Sequence, residues 1–275
     1  MLIIVDVRHY IGHWIYKTVG TSSFIRRIEW RSMFDWLDPK QGEKILDIAC
    51  WNGVLSLKIA EKGCKVYGID ISDNAVKEGV RLAERESIPF KFEDGSAEDL
   101  PYPDRYFDKI VCRSSLEHFK DDIRALGEMN RVLKAGGCVV MTVDSLTYPI
   151  NDELKERHRE LYYVMNYYTR ETLKERFEIA GLRMNRSEYL LNSRITSFFF
   201  NHLVIRDYKL PMFLRVMGSL IVYPLCLVSE RMFGNENMGY TLIAEGRKKE
   251  TFMAHGDAGS LPISCCSNQE PLLSS

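Results

Sequence analysis

Residues 43–60, EKILDIACWNGVLSLKIA, decide how the rest of the chain is read. Ile45, Leu46, Ile48 and Ala49 form an apolar run interrupted only by Asp47, the pattern of a strand buried in a parallel sheet. Cys50-Trp51-Asn52-Gly53 is a tight turn. Val54, Leu55, Leu57, Ile59 and Ala60 then carry the apolar face of a helix. Strand, small-residue turn and helix together bring a backbone close to a nucleotide-like ligand.

Working outward, strand and helix patterns alternate. Further strands are expected at 65–70, 90–92, 106–112, 137–143, 182–191 and 240–245. Helices are expected at 74–86, 121–133, 150–169 and 170–180, with Thr169 as a cap of the last one. The alternation implies an α/β fold, a doubly wound and mainly parallel seven-stranded Rossmann-like sheet. Residues 1–40 read as an aromatic N-terminal helical cap with Arg26, Arg27 and Arg31 among its rings; the alternative is a lid over a substrate pocket or a membrane-facing surface. Residues 41–249 form the main domain, with a hydrophobic insertion at 192–238. Residues 250–275 are small, polar and punctuated by Pro and Gly, and are expected to be disordered.

Composition narrows the classes. The chain has 275 residues, 45% hydrophobic and 27% charged, which is globular. A net charge of −1 gives no basic footprint for a nucleic-acid partner. Cys50, Cys64, Cys112, Cys138 and Cys226 lie scattered in apolar surroundings, as reduced core cysteines of a cytoplasmic protein do. Their spacing is not that of a zinc site, and no metal is expected. Residues 1–7 lack the basic flank of a signal peptide, and the sequon at Asn185 has no secretory context to support it. The oligomeric state is not readable.

Leu46 to Gly53, LDIACWNG, resembles the first motif of class I S-adenosylmethionine-dependent methyltransferases, D-x-G-x-G-x-G. Asp47 and Gly53 match, while Ala49 and Trp51 stand where glycine is usual. Either Trp51 points outward with an ordinary φ, or the cofactor pocket is altered. Gly95 to Pro101, GSAEDLP, resembles the adenine-side loop G-D-A-E-x-L-P, with Ser96 in place of aspartate. Phe107 to His118 resembles the fourth-strand motif that ends in LEH. Leu126 to Gly137 resembles L-x-E-x-x-R-V-L-K-P-G-G, and Thr172 to Gly181 the later helix ending A-G. The resemblance runs from about residue 43 to 190 and returns near 240, in the manner of the small-molecule and lipid methyltransferases.

The resemblance implies S-adenosyl-L-methionine as cofactor. It implies a binding set of Asp47, Ala49, Cys50, Trp51, Asn52, Gly53, Asp70, Ile71, Ser96, Ala97, Arg113 and Ser114. Asp70 also stands out by position: it ends the second strand, where an acid can accept both ribose hydroxyls of a nucleoside. His118 is the candidate for acid–base work; the other reading is that it opens the following helix. Tyr162 and Tyr163 either line the acceptor pocket or pack structurally. The acceptor is expected to be a small, hydrophobic or lipid-like molecule. The segment 197–236 is either a buried cap or a peripheral membrane contact, since its uncharged run is too short to span. Two other classes compete. A Rossmann dehydrogenase wants G-x-G-x-x-G, which this loop does not supply. A non-catalytic binding protein that keeps the fold draws its support from Trp51.

Overall fold

The structure is a computed structural model that describes residues 23–88, 90–205 and 212–249. The expected helix before residue 23, the tail from 250 with Cys265 and Cys266, and Leu210-Pro211 lie outside the described residues.

The strands are β1 (Lys44–Ile48), β2 (Lys65–Asp70), β3 (Phe90–Asp94), β4 (Phe107–Arg113), β5 (Leu133–Asp144), β6 (Leu182–Leu190) and β7 (Thr241–Lys248). They form one seven-stranded sheet in the order β3-β2-β1-β4-β5-β7-β6. β1 to β5 run parallel, while β7 lies antiparallel between β5 and β6. β1 sits in the centre, where both faces are covered, and this is why four of its five residues are buried.

The pleat sends alternate residues to opposite cores. Leu46 and Ile48 join one core. It is closed by Leu126 and Met129 of α4 (Asp122–Val132) and by Leu173 and Phe177 of α6 (Arg170–Ile179). Ile45, Val66, Val111 and Val140 join the other. That second core takes Ile28 and Met33 of α1 (Phe24–Leu37) and Leu55 and Ile59 of α2 (Val54–Ala60). Between β2 and β3, α3 (Asp73–Glu86) starts where the Ser72 hydroxyl accepts the Ala75 N–H. The cap at Thr169 is a full capping box with Thr172.

Two expectations change. The helix predicted over 150–169 is α5 (Asp152–Tyr162) and stops early, because Tyr163 turns left-handed and caps it. Residues 133–144 are one strand rather than a turn and strand, and the expected turn at 134–137 survives as a register irregularity: Leu133 pairs with Phe107 but Cys138 already with Lys109.

The insertion holds α7 (Arg194–Phe200), a π-turn (Asn201–Ile205) and α8 (Met212–Phe233). α8 is two-faced. Ser219, Val222, Cys226 and Ser229 are buried, and Arg27 of α1 lies over the Tyr223 ring at 4.0 Å. Met217, Leu220, Ile221, Leu225, Val228, Met232 and Phe233 are exposed. Among the described residues no helix is long and apolar enough to cross a membrane.

Candidate active site

The carboxyl ends of β1, β2, β4 and β5 line one edge of the sheet, the crevice where open α/β sheets bind ligands. The β1–α2 loop forms its floor. Ala49 (φ 54), Trp51 (φ 51) and Gly53 (φ 71) are all left-handed. Of the two alternatives for Trp51, the one that gave it an ordinary φ is therefore excluded. Both positions where glycine is usual do need positive φ, and here an alanine and a tryptophan adopt it. Such a conformation costs roughly 1–2 kcal/mol at a non-glycine residue, and the loop holds it with hydrogen bonds. Trp51 N–H donates to Asp70 Oδ2 (2.8 Å), Cys50 N–H to the Ile69 carbonyl (3.1 Å) and Gly53 N–H to the Cys50 carbonyl (2.9 Å).

The Trp51 indole is 56% exposed, so it is not packed into the protein's core. Trp51→Gly is expected to keep cofactor affinity within about tenfold and folding stability within about 1 kcal/mol. Calorimetry and thermal melts check this, and a larger affinity loss would make the indole a cofactor contact.

Asp70 is nearly buried, and its other oxygen accepts the Ser72 N–H (2.9 Å). Ile71 beside it is 84% exposed, an apolar side chain standing in the open. Asp47 is buried under the loop, where it accepts the Ser56 hydroxyl at 2.6 Å. Burial pushes its carboxyl up to about 7, against the opposing pull of that hydrogen bond. Asp47 thus ties β1 to α2 from beneath. Burial also raises the Cys50 thiol. Asn52 is partly exposed between them.

The 95–101 loop is braced from two sides. The Ser96 hydroxyl accepts the Glu98 N–H (3.1 Å), and Ala97 is buried. Glu98 in turn accepts the N–H groups of Lys120 and Asp121. Glu128 accepts the Leu100 N–H (2.8 Å), while Arg131 donates to the carbonyls of Leu100 (2.9 Å) and Tyr102 (2.7 Å). The L-x-E-x-x-R spacing is the signal for this brace, because i and i+3 share a helix face.

At the end of β4, Arg113 pairs with Glu29 of α1 (3.6 Å), and the Ser114 hydroxyl donates to Glu29 (3.0 Å). Both side chains are thereby fixed to α1, a link no local motif announces. His118 stands exposed at the rim, its Nδ1 3.3 Å from the Tyr163 carbonyl. Partial desolvation lowers its pKa, and the carbonyl contact opposes this. A carbonyl only accepts, so Nδ1 carries the proton and Nε2 keeps a lone pair. The Tyr162 ring packs on His158 at 4.8 Å, and the Tyr163 side chain is 84% exposed. His158 is held neutral by burial, its pKa down at about 4, beside Asp144 at 3.8 Å. Among the described residues no three His, Cys, Asp or Glu side chains gather as a metal site.

The donor set suits a nucleoside carrying an amino-acid sulfonium. It offers a carboxylate at the β2 end, an open apolar side chain beside it, and a sharply bent loop with three left-handed residues. Residues 46–141 match the family described as Methyltransferase domain. A demethylmenaquinone methyltransferase of Staphylococcus aureus is 31% identical over 203 residues, 64% of this chain and 80% of that protein. Its counterpart in Staphylococcus carnosus is 29% identical over 205 residues, 62% of this chain and 84% of that protein. Among solved structures the [4+2]-cyclase SpnF superposes with a TM-score of 0.59 at 22% identity, over 81% of this chain and 80% of that one. That likeness speaks for the fold alone, since one fold hosts many chemistries. With 31% identity across four-fifths of a methyltransferase and the matched segment running through the crevice loop, the chain belongs to the class I S-adenosyl-L-methionine-dependent methyltransferases.

Proposed function

We propose that this methyltransferase acts on a hydrophobic, lipid-like acceptor that it meets at a membrane surface. The carrying observation is the exposed face of α8, where Met217, Ile221, Leu225, Val228 and Met232 recur at helical spacing with no covering element among the described residues. A cleft of about 700 Å³ opens beside the end of this stripe, walled by Tyr148, Ile195, Phe233 and Met238 with Arg194 among them. The two staphylococcal relatives, named for a quinone acceptor, support the same acceptor class.

In this reading Asp70 takes the ribose hydroxyls and Ile71 covers one face of the adenine. Ser96 and Ala97 border the adenine edge. The 49–53 loop, Arg113 and Ser114 surround the methionine end. S-Adenosylmethionine supplies an electrophilic methyl group on a sulfonium sulfur. The chain's own work is to hold donor and acceptor in line, and alignment carries much of the rate in such displacements. His118, with its Nε2 lone pair at the rim, can take a proton from the acceptor if one must leave. Tyr162, packed on His158, and the exposed Tyr163, whose carbonyl meets His118, are the candidates to line the acceptor's path.

The test is co-sedimentation with liposomes. Deleting the insertion would strip the second core of Val222 and Cys226, so substitutions on the outer face are the sharper probe. The intact chain should pellet with phosphatidylcholine vesicles or with anionic vesicles. The variant Ile221→Ser/Leu225→Ser/Val228→Ser/Met232→Ser should stay in the supernatant with an unchanged melting temperature. Half-burial of four such side chains is worth roughly 3–4 kcal/mol, or about 100- to 1,000-fold in partitioning. An intact chain that ignores both vesicle types removes the membrane part of the proposal.

A further inference from the structure

Glu117 lies four residues beyond the end of β4, and its side chain is wholly buried. Neither carboxyl oxygen makes a well-formed hydrogen bond, although the backbone N–H groups of Glu117 and Asp144 lie near enough to favour its charged form. Leaving a buried polar group unpartnered is costly, and such groups in native proteins need an explanation. The surroundings make the cost higher. Asp144, at the end of β5, is its strongest charged neighbour, and Glu29 of α1 adds to the repulsion. Arg113 pairs with Glu29 and also draws on Asp144. Tyr168 and the Cys112 thiol feel Glu117 from the other side. His158, held neutral, closes over Asp144.

This carboxyl is near the reaction crevice. Glu117 follows the carboxyl end of β4 and Asp144 ends β5, two of the strands whose ends line the crevice, and the Asp144 side chain keeps 19% of its surface exposed. The backbone over Glu117 is the α5–α6 connection, where Met165 and Asn166 N–H groups donate to the Glu117 carbonyl (2.9 and 3.3 Å). The same connection supplies the Tyr163 carbonyl to His118. One short segment therefore touches both residues.

We propose that Glu117 is the residue that holds the polar end of the methyl acceptor, hydrogen-bonding an uncharged hydroxyl- or carbonyl-bearing head. Burial, then Asp144 and Glu29, push the Glu117 carboxyl well above its ordinary value against the pull of two backbone N–H groups, and in its neutral form it can donate one hydrogen bond and accept another. Glu29 and Asp144 share Arg113 as their counter-charge, so the place suits an uncharged head better than an anionic one. The inference rests on the methyltransferase activity alone and on no particular acceptor.

The experiment uses the full chain with Glu117→Leu and Glu117→Gln, S-adenosylmethionine labelled at the methyl group, and a total cell extract as the source of acceptor. Glu117→Leu replaces an unpartnered carboxyl with an apolar side chain of similar bulk. It should raise the melting temperature by about 2–4 °C. Calorimetry should show cofactor affinity within about twofold of the parent chain. Transfer of label to the extract should fall about 10- to 100-fold, since the acceptor's head is left unpaired in a buried place. Glu117→Gln, neutral and still able to donate and accept, should lose less than Glu117→Leu. A lower melting temperature for Glu117→Leu would make the residue structural. Weakened cofactor binding would assign it to the cofactor instead, and undiminished transfer would remove it from the acceptor site. Each result overturns the proposal. Label in the organic rather than the aqueous phase bears separately on the lipid-like acceptor, because dependence on Glu117 is read in whichever phase carries label.

Discussion

Asp70→Ala should weaken S-adenosylmethionine binding by about 1.5–3 kcal/mol, or 10- to 150-fold, the scale of hydrogen bonds to a charged group. The carboxylate has two jobs. One oxygen accepts the Trp51 N–H and the other the Ser72 N–H, so it pins a left-handed loop residue and the entry to α3 together. Both oxygens also retain lone pairs for ribose hydroxyls. On the ribose assignment, removing the carboxylate takes away the ligand contact as well as releasing the loop, so the loss should sit at the upper end of that range. Asp70→Asn separates the two jobs. It keeps one acceptor oxygen for the loop but loses the charge, and should fall between parent and alanine variant. Calorimetric titration of folded variants decides it. Unchanged affinity in Asp70→Ala would refute the ribose assignment.

The parts of the fold legible in the sequence were those with a strong local cause. The apolar run around Asp47 reads as a central strand because burial on both faces leaves no room for alternation. Thr169 reads as a cap because its hydroxyl acts three residues on. The α5 end did not read, since nothing local distinguishes Tyr163 from Tyr162 until one of them turns left-handed. The two faces of α8 were hidden for a physical reason. When both the core side and the outer side of a helix are apolar, the helical period that separates them fades. Part of the site is also made of contacts between distant residues. Glu29 holds Arg113 and Ser114 from more than eighty positions away. The isolation of Glu117 depends on what packs around it and not on the LEH motif it belongs to. Sequence drew attention to the titratable His118, whereas the buried carboxyl next to it carries the greater unmet hydrogen-bonding demand.

Phe92 shows the same limit in the cofactor loop itself, and it carries the other large expected effect. A Cβ built on Gly53 would lie 1.9 Å from Phe92 Cζ, on Gly68 2.7 Å from Cδ1, and on Gly79 2.6 Å from Cζ. Three glycines from the loop, from β2 and from α3 therefore form a slot for one ring. Gly53→Ala meets two penalties. Its φ of 71° is strained for alanine by roughly 1–2 kcal/mol, and the new methyl drives into a ring that two other backbones keep from retreating. Together these should cost about 3–4 kcal/mol. Phe92→Ala empties the slot and should cost about 2–4 kcal/mol, with the ring partly exposed at one edge. In the double variant the methyl enters space that the ring has left. The clash disappears, and only the strain of φ remains beyond the cost of Phe92→Ala. Its destabilisation should therefore fall short of the sum of the single variants by about 1–3 kcal/mol. Denaturant melts of the four proteins measure that coupling. Strict additivity would mean that the loop relaxes away from the ring, and that Phe92 does not set the height of the cofactor floor.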